Sequence, residues 1–243
     1  MQIDQKKIEL IFREKSKQSE LEPLCRKVLE HFQLPNLSLI CIFDDEERPE
    51  FTASDKYGEN LCGIFFEYVR DFRQACPDDL DEYVWKEERF LCDVVIYLRY
   101  RTCLSLTGMT ITFAHELQHF MQLGFNYKAF RANCLLLHYL RCWKKDQRPL
   151  WKFPHEYEAP LVSKRVSELV LTRDMVSSYT EQKIEEKNDL EKWRFFQGLD
   201  AAESFDLLER TKPLVNQYRE ELKENFRTTN TKEPDFTKEN WWE

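Results

Sequence analysis

The sequence predicts an α+β fold: one mostly helical domain with a small mixed sheet beside a helix carrying His115-Glu116-Leu117-Gln118-His119, and a helical C-terminal extension. Three observations predict it. Two short runs, the apolar Leu37 to Phe43 and the Val-, Ile- and Tyr-rich Phe90 to Tyr100, read as strands. From Ala129 onward the apolar residues recur almost throughout at helical spacing. Aromatic residues make up 14% of the chain and glycines number only 5, which favours an ordered, helix-rich globule over a disordered chain or a glycine-rich sandwich. With no internal repeat or low-complexity linker, the chain divides into residues 1–172, with N-terminal helices and the motif, and residues 173–243, a helical extension packed on the same domain.

Taken in order, residues 4 to 32 carry Ile8, Ile11, Phe12, Leu21, Leu24, Val28, Leu29 and Phe32, a pattern that predicts two short helices or one helix broken near Pro23. Leu37 to Phe43 is a buried strand bounded by Pro35-Asn36 and an acidic run, and Phe51 to Ser54 is its candidate partner. Gly63 to Phe72 fits either strand or helix. Cys76 to Asp79 reads as a turn and Leu80 to Glu88 as a short helix. Phe90 to Tyr100 is the clearest strand, placed just before the motif helix, where an edge strand would hold an extended substrate. Asp200-Ala-Ala-Glu203 has the form of a capping box, and Thr211 with Pro213 marks another helix start. The tail after Arg227 lacks periodicity, and its Trp241-Trp242 pair is expected to dock on the parent domain.

A net charge of −8 argues against a nucleic-acid-binding surface, and the short basic cluster from Arg141 to Arg148 reads as a solvated helix end. The N-terminus lacks an apolar signal core, and no apolar stretch is long enough to span a bilayer. Cysteines 25, 41, 62, 76, 92, 103, 134 and 142 lie mainly in apolar segments without a CxxC pair, as free thiols of a reducing compartment do. Together these features predict a soluble cytoplasmic protein whose partner is a protein or peptide substrate, with no nucleic acid and no membrane. Cys134, His138 and Cys142 share helical spacing and form a second candidate metal face, but the surrounding leucines favour a buried core face.

HELQH reads HExxH. On a helix, His115 and His119 lie one turn apart on one face, so both imidazoles can reach a single zinc ion. Glu116 projects about 100° further round the helix, beside the metal, where a carboxylate takes a proton from water instead of ligating the ion. Phe113, Leu117 and Met121 can bury the opposite face, and Gly124 is a helix stop. A catalytic zinc needs a third protein donor. Candidates concentrate in Phe153-Pro-His-Glu-Tyr-Glu-Ala159; Glu156 and Glu158 are the carboxylates there, with His155 and His138 next in line.

From HELQH to His-Glu-Tyr-Glu-Ala159, the chain over about residues 90–172 resembles the gluzincin metallopeptidases, whose third ligand is a Glu on a helix after HExxH. The E-x-E-A form is similar to that of the short intracellular ImmA/IrrE-type peptidases. The resemblance implies a zincin-like metallopeptidase domain, Zn²⁺ as cofactor, His115, His119 and Glu156 as ligands, Glu158 as the alternative ligand and Glu116 as the catalytic base. Pro160 stands where the family places an Asp or Asn, and it places the helix start near Glu156 or Tyr157. No third His follows at metzincin spacing. Transition-state donors are open among Tyr157, His155, Tyr127 and Arg165. The expected function is hydrolysis of peptide bonds in a narrow protein target, with the regulatory nature of that target lent by the resemblance. The alternative is a non-catalytic, zinc-stabilised scaffold or interaction module.

Overall fold

Leu39-Ile-Cys-Ile-Phe-Asp44 and Val94-Val-Ile-Tyr-Leu-Arg99 form the centre of a sheet in which every one of these side chains except Arg99 is buried. The computed structural model describes residues 8–44, 63–67, 70–71, 78–99, 105–187, 189–227, 230 and 232–243. The expectations on Phe51 to Ser54, Cys76-Pro77 and cysteines 62, 76 and 103 fall outside them. In chain order the strands are β1 (Ile8–Phe12), β2 (Leu39–Asp44), β3 (Gly63–Phe66), β4 (Trp85–Lys86), β5 (Arg89–Phe90) and β6 (Val94–Arg99). The main sheet has the order β1-β2-β6-β3, with β1, β2 and β6 parallel and β3 antiparallel to β6. The fold is therefore α+β with a small mixed sheet.

Successive side chains of a strand face opposite sides, and both sides are covered here. Leu39, Cys41, Phe43, Val94, Ile96 and Leu98 pack with Leu21, Cys25 and Val28 of α1 (Lys15–Leu29) and with Phe113, Leu117 and Phe120 of the motif helix. Ile40, Ile42, Val95 and Tyr97 meet Leu80 and Val84 of α2 (Asp78–Val84) on the other side. The motif helix is α3 (Leu106–Phe125), followed by α4 (Tyr127–His138), α5 (Pro154–Val170), α6 (Arg173–Glu185), α7 (Leu190–Gly198), α8 (Leu207–Gln217) and α9 (Arg219–Asn225).

Several local expectations are corrected. Ile8–Phe12 is a strand, because Ile8, Leu10 and Phe12 join one core while Ile11 joins the other, an alternation of period two. Pro23 does not break α1; it and Ser19, whose carbonyl loses its donor, both lie on the exposed side. The span from Leu80 to Glu88 is half helix and half hairpin: Glu87 and Glu88, at φ 50° and 63°, make the tight turn between β4 and β5. The clearest strand, β6, is interior, and the edge beside α3 is β3. Helix α5 starts at Pro154, so Glu156 stays in the first turn while Pro160 lies inside the helix. Asp200 to Glu203 is a turn, held by Asp200 Oδ1 accepting from the Ala202 amide at 2.9 Å. The true cap is Asp206, and Thr211 and Pro213 sit inside α8.

The later helices close over α3 and α4. Ile111 of α3 packs with Leu161, Val176 and Phe196 of α5, α6 and α7. Val215, Leu222, Phe236 and Trp241 pack on Ala132, Leu136 and Leu140, so Trp241 of the tail docks on its own chain, fully buried. Lys212 lies 4.4 Å over the Trp242 ring. His138 and Cys142 are not part of this core: both are exposed, with Cys142 Sγ 3.6 Å from His138 Nδ1. Cys25, Cys41, Cys92, Cys134 and Cys142 are free. Among the described residues no helix is long and apolar enough to cross a membrane.

Candidate metal centre

Ser105 starts α3 by accepting a hydrogen bond from the Gly108 amide at 3.0 Å, a cap that fixes where the motif falls on the helix. Phe113, Leu117 and Phe120 bury one face against the sheet. Phe120 takes the place expected for Met121, which is only half-buried. Gly124 does not stop the helix; it lies within its last turn, where a Cβ would come within 2.2 Å of Pro35. The lack of a side chain lets the segment before β2 cross the helix there.

On another face, His115 and His119 bring their Nε2 atoms to 3.2 Å from each other. Two imidazoles on one tetrahedral zinc at 2.0–2.1 Å would sit about 3.3 Å apart by the same atoms. Glu156, from the first turn of α5, places Oε1 3.8 Å from His119 Nε2. The three donor atoms lie within 4.8 Å of one another, and this group can hold a metal ion. Burial opposes the Glu156 charge, but nearby groups, His119 first, outweigh it and hold the carboxyl below its ordinary range. Burial, reinforced by His119, pushes His115 down to about 3, so its imidazole is neutral and carries a lone pair.

The orientation of His119 is set by a chain of hydrogen bonds that the sequence reading missed. The Gln122 side chain donates from Nε2 to the His155 carbonyl at 3.0 Å and to Glu158 Oε2 at 2.8 Å. Both amide hydrogens are thereby used, so Oε1 faces His119 Nδ1 at 2.9 Å as an acceptor. The network assigns a proton to Nδ1 and turns Nε2 towards His115. Gln122 was findable: it lies three residues after His119, on the neighbouring position of the helix.

Glu158, the alternative ligand, does not face solvent. It is buried, and burial raises its pKa, partly offset by hydrogen bonds from Gln122 and Gln118. Nor does it join the ligand group, which consists of His115, His119 and Glu156. His155 is buried, its Nε2 3.5 Å from Glu156 Oε1, and burial lowers it to about 4. The Tyr157 hydroxyl instead donates to Glu203 at 2.9 Å, its ring stacked on Phe205. The Tyr127 hydroxyl donates to Glu233, and Arg165 donates to the carbonyls of Ala201 and Glu203. His138 lies outside the group.

Glu116, the residue after His115, is buried and does not belong to the group. Strand β3 passes so close that a Cβ on Gly63 would stand 2.9 Å from Glu116 Cγ, Glu116 Oε1 and Thr112 Cγ2. Gly63 was a second residue hidden from sequence reading, since only the tertiary approach of β3 to α3 gives it meaning. Two imidazoles and a carboxylate, with a second carboxylate one residue along the chain, make a donor set suited to zinc and a base next to it. No known family, curated protein or solved structure matches the chain.

Proposed function

We propose that the chain is a zinc-dependent peptidase that cleaves peptide bonds in a narrow protein target. One observation carries this reading: His115, His119 and Glu156 converge, while Glu116, the residue after His115, is buried against β3 and left out of the group. A purely structural site has no use for that carboxylate. A zinc ion held there supplies Lewis acidity, polarising a carbonyl and making water a better nucleophile at neutral pH. The chain does the rest. His119 and His115 offer lone pairs in an arrangement fixed before binding, because Gln122 holds one ring. Glu116 receives the proton of the attacking water and returns it to the leaving amine.

The limited range of targets and an intracellular setting rest on the resemblance to short gluzincins and on the free, buried thiols of Cys25, Cys41 and Cys92. The test is cleavage of a peptide library by zinc-loaded protein, followed by mass spectrometry, beside Glu116→Gln and a chelator-treated sample. Loss of a positioned base is expected to slow turnover about 10²–10⁴-fold with folding and metal content kept. A Glu116→Gln protein that cleaves as fast as wild type sinks the mechanism.

A further inference from the structure

Attack on a carbonyl places negative charge on oxygen, and the hydroxyls of Tyr157 and Tyr127 and the guanidinium of Arg165 all have other partners. A different cation lies on α7. This helix packs against residues of both helices that carry the metal group. Trp193 and Phe196 share a core cluster with Ile111, which stands one turn before His115 on α3. Phe195, three residues beyond Lys192 and on the same side of the helix, stacks on Trp151 at 5.1 Å and meets Tyr157 at 5.5 Å. Tyr157 follows Glu156 directly, so Lys192 occupies the side of α7 turned towards the first turn of α5. The charge of Lys192 acts on both His115 and Glu156. Its ion pair with Asp189 is long, 3.9 Å, between side chains 47% and 39% exposed. Such a pair holds a lysine only weakly.

The geometry points to Lys192 as the anion-binding partner of the metal group, holding an oxyanion of the substrate between its ammonium and the metal. The inference rests on the zinc reading above. On a chain of net charge −8, an anionic oxygen gains from a local cation at the rim of the site. An ammonium on a flexible stem can follow such an oxygen as a point charge. Two sources offer it: the tetrahedral species formed on attack, or a carboxylate carried by the substrate.

Cobalt-loaded full-length protein reports anion binding through its visible spectrum, without any need for a substrate. The probes are inorganic phosphate, a tetrahedral oxyanion, and succinate, whose second carboxylate is set back from the metal. Lys192→Met is expected to bind phosphate about tenfold more weakly, the order of one charge-assisted hydrogen bond, with Lys192→Arg intermediate. Arg194→Met, the same charge change at an exposed position of α7, is the control and should match wild type. Loss with phosphate assigns Lys192 to the tetrahedral species; loss with succinate alone assigns it to a substrate carboxylate. Equal affinities of wild type and Lys192→Met for both anions overturn the inference, as does an equal loss in Arg194→Met. Failure of the wild-type chain to take up cobalt removes the zinc reading and this inference together, whereas normal uptake with unchanged anion affinity removes this inference alone.

Discussion

His119 and Glu158 are joined through one side-chain amide: Gln122 accepts from the first and donates to the second. The side of His119 that faces His115 is thereby controlled from a different helix. Gln122→Leu keeps the approximate volume of the side chain but removes these two bonds and the one to the His155 carbonyl, and it is expected to weaken zinc binding about 10–100-fold. The check is competition with a fluorescent chelator. Unchanged affinity would show that the amide orients nothing of consequence.

Glu156 and Glu158 separate in the same assay. Glu156→Ala removes a donor of the converging group and should abolish stoichiometric zinc. Glu158→Ala should retain stoichiometric zinc with reduced affinity and also destabilise the fold, because it leaves Gln122 short of a buried acceptor at a cost of about 1–3 kcal/mol. Elemental analysis and urea unfolding read the two effects. Full zinc in Glu156→Ala would move the third donor elsewhere.

Removing both imidazoles is the strictest test of the site. The His115→Ala, His119→Ala double variant leaves one carboxylate of the group and should purify without zinc. Wild-type zinc content in that protein would place the metal away from α3.

The metal-free chain should lose stability in mild acid. His115 and His155 are pushed down to about 3 and about 4, in both cases chiefly by burial, from an ordinary value of 6.5. Below pH 6.5 the unfolded chain takes up protons that the folded chain refuses, so stability rises with pH across this window and falls as pH drops towards the folded values. Glu158, raised by burial, works in the opposite sense: its contribution is present at low pH and is lost as pH rises through its folded value. The two histidines are expected to prevail between pH 6.5 and 5. Urea midpoints of chelator-treated protein at pH 7.5 and pH 5 provide the measurement, and a midpoint at pH 5 equal to or above that at pH 7.5 contradicts the burial argument.

Trp241 is fully buried, and Trp241→Ala should destabilise the fold by about 3–5 kcal/mol. A change below about 1 kcal/mol by urea unfolding would mean that the tail contributes little to the fold.

What could be read from the sequence was local. HELQH lies within five residues, its helical spacing alone brings His115 and His119 together, and Glu156 is proposed from a short pattern. Strands β2 and β6 were legible for a similar reason, being apolar throughout their length. Ile8–Phe12 was not, since four apolar residues around Glu9 satisfy both periods until a neighbouring strand selects one. Pro23 and Pro160 misled because a helix can run through a proline where packing holds the chain on either side. Gly63, Gln122, Glu158 and Lys192 take their parts only from elements far away in the chain, and no spacing rule reports such a meeting.

The approach of Gly63 to Glu116 gives one side of the site a wall of main chain. A side chain can rotate away from an incoming group; a paired strand cannot. The position of that wall is therefore a matter of register, Gly63 standing opposite Leu98. A slip of one residue along β6 would turn the strand's other face to α3 and bring a side chain where the glycine now leaves room for the carboxylate. The dimensions of the site are thus tied to pairing within the sheet, far outside the motif itself.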